Sequence, residues 1–277
     1  MNDALRRKFE MLAASEPIPL ARGALLIAKD EYPNLNIDRY LAELDALADE
    51  FTGGPGAEPL GTVEKVEALS NFLFVHKGFK GNRDDYNDPR NCFLNEVIER
   101  RLGIPITLSV LYIEVGGRLG LNLYGVSFPT HFLVKAVSMD RGELIIDPFN
   151  AGAILDLDEI RARLQQIYRQ PVDVHPDMLR AVDARHVLAR MLRNLKNLYA
   201  RGADWPRVLS ALDRILMLDT DSAEELLERG VLHERMEWEP SALRDFQNFL
   251  VKYPGHAATD TVREAVVRLT EKFGRLN

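Results

Sequence analysis

The sequence predicts an α+β chain: a helix-rich unit holding a small antiparallel sheet, followed by an all-α tail of helix hairpins. Three observations predict it. Apolar residues recur at helical spacing through most of the chain. Two apolar runs, Phe132 to Val137 and Glu143 to Asp147, flank a short turn and read as paired strands. Beyond about Asp183 the sequence resembles itself at a spacing of roughly 34 residues, the period of a two-helix repeat.

Composition bounds the function. At 277 residues the chain exceeds one typical domain. Two are expected, 1–172 and 173–277, divided near the proline-bearing stretch Gln170-Pro171 to His175-Pro176. Hydrophobic residues make up 46% and charged residues 28%, a mix that lets each domain bury a core. A net charge of −7 argues against general affinity for nucleic acid or an anionic membrane. Met1-Asn2-Asp3 opens a polar segment rather than an apolar signal region, and no apolar run approaches the roughly 20 residues of a membrane span. The single cysteine excludes an intramolecular disulfide and suits a reducing compartment, so a cytoplasmic location is expected.

The N-terminal 60 residues read as helices. Leu5, Phe9 and Leu12 share one face, and Ser15-Glu16-Pro17 interrupts them. Pro19 starts a second helix that Pro33 ends. Asn36 caps a third, with Tyr40, Leu44, Leu47 and Phe51 inward. Thr52-Gly53-Gly54-Pro55-Gly56 is a loop. Thr62 to Val75 is a further helix, and Lys77 to Asp85 is expected as a mobile polar loop. Asp88-Pro89 signals a helix from about Pro89 to Arg101, with Cys92 in its first turns and Arg100-Arg101 at a solvated end. Asp84, Asp85 and Asp88 lack the central Gly and terminal Glu of a calcium loop, so no metal is expected. No phosphate-cradling glycine loop is present, and no cofactor is expected.

The middle of the chain carries the suggestive chemistry. Leu108, Leu111, Tyr112, Val115 and Leu119 form one buried helical stripe, begun near Pro105 and ended by Gly116-Gly117 and Gly120. Folding the two later apolar runs about a turn centred near Met139 sets His131 opposite Asp147. Directly opposed side chains have Cβ atoms roughly 4.5–5.5 Å apart. An Asp there can fix the imidazole tautomer, which is the His–Asp half of a nucleophilic triad. After Asn150, Asp156 and Glu159 match a capping box.

Helix, strand opened by His, and strand ended by Asp-Pro together resemble the transglutaminase core, a rearranged papain-like architecture. More closely, Y-N-D-P-R-N-C-F-L-N-E-V-I-E-R-R-L-G-I-P-I-T-L-S from Tyr86 to Ser109, with F-P-T-H-F-L-V and I-D-P-F-N, resembles the SirB-type bacterial family. There a transglutaminase-like domain precedes a tetratricopeptide-like (TPR) tail. The resemblance implies the fold and the His131–Asp147 pair. It does not imply acyl transfer: the family's core fold carries its Cys at the N-terminus of the central helix, where the dipole lowers the thiol pKa. Here that position falls near Pro105 to Thr107, and no cysteine is there.

The tail reads as two hairpins and a closing helix, Thr259 to Lys272. Gly230, Ala242, Phe246 and Pro254 sit where a TPR expects small, small, aromatic and proline residues. Trp205 and Trp238 are read as repeat packing. Repeats of this kind present concave surfaces to peptides or partner helices.

Two functional readings follow. The first is a non-catalytic or cryptic module that binds a protein or peptide through a cleft and the repeats. Its cleft would be floored by Pro105, Ser109, Pro129, Asn150 and Asn91. The second is a hydrolase or acyltransferase acting on peptide or amide bonds, with His131 as base, Asp147 as its orienter, and Cys92 or Thr107 as nucleophile. A third is a structural subunit of an assembly.

Overall fold

A computed structural model describes residues 3–52, 61–138 and 142–274. The loop expected at Gly53 to Gly56 and the turn centred near Met139 lie outside the described residues. The chain divides into two compact units, Met1–Met191 and Leu192–Asn277.

Unit 1 opens with helices α1 (Asp3–Ala13), α2 (Leu20–Ala28) and α3 (Ile37–Thr52). Leu5, Phe9 and Leu12 are buried, as their spacing predicts, and the Asn36 side chain accepts the Arg39 amide at 3.2 Å as the α3 cap. Helix α4 (Thr62–Ser70) continues as a π-helical turn over Asn71–His76. Strand β1 (Lys80–Gly81) then pairs in parallel with β2 (Leu102–Gly103). The polar loop expected at Lys77 to Asp85 is therefore interrupted by a two-residue strand. Phe79 and Asn82 are buried, and the Asn82 side chain bonds Asn91 at 3.0 Å.

The helix expected from Pro89 to Arg101 is broken. A 3-10 turn, Pro89–Cys92, is followed by extended Phe93 and then α5 (Leu94–Arg100). Asp88 explains the break. Its buried carboxylate accepts the Arg90 amide at 2.9 Å and pairs with Arg100 at 3.0 Å, so Arg100 is not the solvated residue expected. Helix α6 (Pro105–Arg118) is the centre of the unit; it holds four of the five stripe residues, Leu119 caps it, and all five are buried.

The sheet is antiparallel throughout. Its strands are β3 (Leu123–Val126), β4 (Leu133–Ser138), β5 (Gly142–Asp147), β6 (Ala153–Leu155) and β7 (Ala181–Val182), in spatial order β6-β5-β4-β3-β7. Helix α6 packs against β3 and β4. Val126, Leu133, Ile145 and Leu155 meet Ile160 and Leu164 of α7 (Leu157–Tyr168), so the strands are covered on both faces. Val172, Val174, Met178 and Leu179 pack on the same cluster, and β7 completes the sheet. The prolines at 171 and 176 therefore lie inside unit 1, and the division between the units falls within α8 (Ala184–Arg201).

Unit 2 continues through α9 (Trp205–Leu218), α10 (Ala223–Arg235), α11 (Glu239–Lys252) and α12 (Thr259–Gly274). Leu226, Ala242, Phe246, Phe249 and Val262 share one core. Gly230 is required there: a Cβ would lie 2.7 Å from the Phe246 ring. Trp205 packs beside Val208 and Leu212, whereas Trp238 is half exposed rather than buried in the repeat.

Candidate functional site

The sequence that builds the site is a turn on one side and a strand end on the other. Thr130 adopts φ 56 and Ala151 φ 57. Left-handed conformations are costly for residues with a Cβ, and here they flank the two polar segments His131 and Asp147-Pro148-Phe149-Asn150. A 3-10 turn over Pro148–Asn150 folds back on Asp147, whose carboxylate accepts the Phe149 amide at 3.1 Å and the Asn150 amide at 3.3 Å.

His131 Nε2 lies 2.9 Å from Asp147 Oδ1. The expected register was not the one found. Val134 pairs with Ile146 and Ser138 with Gly142, so Asp147 sits two residues along from the assumed partner. A shift of two preserves the face of every side chain, and the contact survives. His131 precedes the strand proper and reaches Asp147 from the turn.

Asp147 is fully buried and bears more donors than a triad orienter requires. Asn150 Nδ2 donates at 2.6 Å, and the Arg163 guanidinium on α7 forms an ion pair with Oδ2. Burial pushes the carboxyl up, but the hydrogen bond and charge of His131, then Arg163 and Asn150, outweigh it and hold the group at about 2. Asp147 is thus an anion matched by a permanent cation.

The outer part of the site is aromatic and basic. Phe149 presents its edge to His131 at 5.8 Å, Tyr86 meets Phe149 at 6.1 Å, and the Arg83 guanidinium lies 5.1 Å from the Phe149 ring centre. Gly81 makes room for this ring; a Cβ there would come within 2.5 Å of it. Arg83 also donates to Asn150 Oδ1. A chain of contacts therefore runs from Arg83 through Asn150 to Asp147 and His131. His131 is partly exposed, and only its Nε2 is engaged among the described residues.

Neither proposed nucleophile is hydrogen-bonded into this chain of contacts, although Cys92 lies close enough to Tyr86 of the rim to interact with it electrostatically. Cys92 is buried, and burial, with the charge of Asp88, pushes its thiol up to about 12. The Thr107 hydroxyl donates to the Asn91 carbonyl at 2.7 Å and accepts the Ile104 amide at 3.1 Å, which makes it the start device of α6. Among the described residues no hydrogen bond joins either to His131. Of the expected cleft residues, Asn150 belongs to the site and Pro129 is half-buried beside it in sequence. Pro105, Ser109 and Asn91 are buried packing instead. Asn91 bridges the 82–86 segment through the Asp85 carbonyl at 2.8 Å.

Arg163 and Arg83 were missed by sequence reasoning. Arg163 carried a signal: it sits with Ile160, Leu164 and Ile167 at helical spacing, a charge inside an apolar stripe. Nothing local marked Arg83. Among the described residues no group of three metal-ligating side chains exists, and no helix is long and apolar enough to cross a membrane.

Comparison with known proteins is consistent with this architecture. The family model of the transglutaminase-like superfamily matches residues 38–193, and a tetratricopeptide repeat model matches residues 195–267. A UPF0162 protein of Xylella fastidiosa (strain Temecula1) is 40% identical over 260 residues, covering 93% of this chain and 92% of that protein. Protein SirB1 of Salmonella typhimurium is 23% identical over 257 residues, covering 92% and 94%. F-box only protein 21 of Mus musculus is 33% identical over 178 residues, covering 61% of this chain and 27% of that longer protein.

Proposed function

The chain belongs to the transglutaminase-like superfamily, and from that premise we propose that it is a non-catalytic binding module. It takes a protein or peptide segment at the Arg83–Phe149–His131 surface and on the repeats of unit 2. The observation that carries this reading is that, among the described residues, no hydrogen bond joins His131 to a usable nucleophile. The one thiol is buried and pushed up to about 12, and the Thr107 hydroxyl is engaged at both ends. A base with nothing to deprotonate does not make a covalent intermediate. What is left around it suits recognition: an imidazole, a guanidinium and two aromatic rings. Tetratricopeptide repeats supply the second surface.

Retention of the full chain on an immobilised peptide library tests the reading. His131→Ala and Tyr86→Ala should each lower retention at least tenfold on the peptides the wild type selects, with circular dichroism unchanged. Retention equal to wild type in both variants, or no selection by the wild type, would overturn it.

A further inference from the structure

Unit 1 holds a pocket of about 240 Å³ that shares no residue with the His131–Asp147 cluster. Its inner wall is apolar. Phe79 and Ile98 are buried, and Leu47 of α3 is half-buried beside the small Ala46. Its rim carries four charges. Glu50 is ion-paired with Lys77, and Glu43 takes Arg39 at 3.0 Å. Each carboxylate of the lining therefore has its cation. Arg101 does not have an anion: among the described residues its guanidinium makes no ion pair.

The base of that side chain is fixed. Arg101 closes α5 at φ 58, its amide donates to the Val97 carbonyl at 2.9 Å, and its carbonyl accepts the Lys80 amide at 2.9 Å. The result is one exposed guanidinium, without an ion pair among the described residues, at the rim of a hollow whose lining is half apolar and half charged. A planar guanidinium pairs best with a carboxylate, through two parallel hydrogen bonds. An apolar group attached to that carboxylate gains by leaving water for the hollow. The volume is below the roughly 300–1,000 Å³ of sites for drug-sized ligands, which sets the occupant at the scale of one residue.

We propose that this pocket binds an apolar amino-acid residue bearing a free carboxylate. The C-terminus of another polypeptide and a free acylated amino acid share this chemistry. The site is separate from the peptide surface proposed above and goes beyond it.

Titration of the full chain, followed by calorimetry, with N-acetyl-leucine, N-acetyl-phenylalanine and their amides is the test. The acids should bind, and the amides at least tenfold more weakly. Arg101→Gly should abolish the difference between acid and amide; glycine accepts the left-handed backbone, so the fold is kept. Ala46→Leu, which fills the hollow, should weaken the acids as well. A leucine-ended peptide with a free carboxylate that binds more tightly than N-acetyl-leucine points to a polypeptide end, and equal affinity points to a free acid. Acid and amide binding alike, acids that fail to bind at millimolar concentration, or Arg101→Gly retaining the preference would overturn the proposal.

Discussion

The two units each contain an aspartate that meets one histidine and one arginine, the imidazole contact running through Nε2 in unit 1 and Nδ1 in unit 2. In unit 1 these are His131, Asp147 and Arg163. In unit 2, His233 Nδ1 lies 3.0 Å from Asp245, and Arg229 pairs with the same carboxylate at 2.6 Å. Both aspartates are buried, and both are held below the usual carboxylate range against the effect of burial. The unit 2 cluster ties α10 to α11 and, through Arg229 and Asp213 at 2.8 Å, to α9. It is packing made from charges. The lesson is that a buried His–Asp contact, by itself, does not argue for catalysis. The difference lies outside the three residues. His131 is delivered by a left-handed turn to a rim of Arg83, Tyr86 and Phe149. His233 lies within α10, beside Trp238 at 5.9 Å.

The largest effect expected from breaking this comparison comes from the aspartates. Asp147→Ala leaves Arg163 without its buried counter-ion and should cost roughly 3–5 kcal/mol in urea unfolding. Asp245→Ala should cost less, because Arg229 keeps Asp213. Equal losses would mean that the second carboxylate is of no consequence.

Acid is next. The folded-state pKa of Asp147 is about 2, below its ordinary 3.8, so its contribution is present above about pH 4 and is lost as pH falls toward 2. That contribution is about 2 kcal/mol. The stability gap between wild type and Asp147→Asn should shrink over this window. A gap that stays constant down to pH 2 would show that the carboxylate is not held low.

The histidines give the smallest stability effect and the sharpest functional contrast. His131→Ala and His233→Ala should each cost about 1 kcal/mol, one hydrogen bond to a carboxylate that keeps its other donors. Only the first should reduce peptide retention. Loss of retention in both would place the two clusters in one role.

Much of this fold is legible in the sequence because the signals are local. The α6 stripe, the Asn36 cap and the Asp156–Glu159 capping box are each set within about three turns of chain or fewer, and each is found. The repeat is legible because Gly230 and Phe246 must meet. The failures involve distant partners. Lys77 to Asp85 is polar by composition, yet it is held by pairing with Leu102–Gly103. The Pro89–Arg101 pattern reads as one helix until Arg100 reaches back to Asp88. The His131–Asp147 contact was found through a register two residues off, since period-two alternation forgives even slips. Asn91, Ser109 and Pro105 were placed in a cleft because of their neighbours in sequence, and the fold buries them.

The proposed binding role requires that His131 activate neither Cys92 nor Thr107. The most direct measurement is labelling of the native full chain with a thiol-directed electrophile and a hydroxyl-directed fluorophosphonate, read by peptide mass spectrometry beside His131→Ala. No adduct at Cys92 or Thr107 that depends on His131 is expected. An adduct at either residue that disappears in His131→Ala would contradict the binding role and make the chain an enzyme.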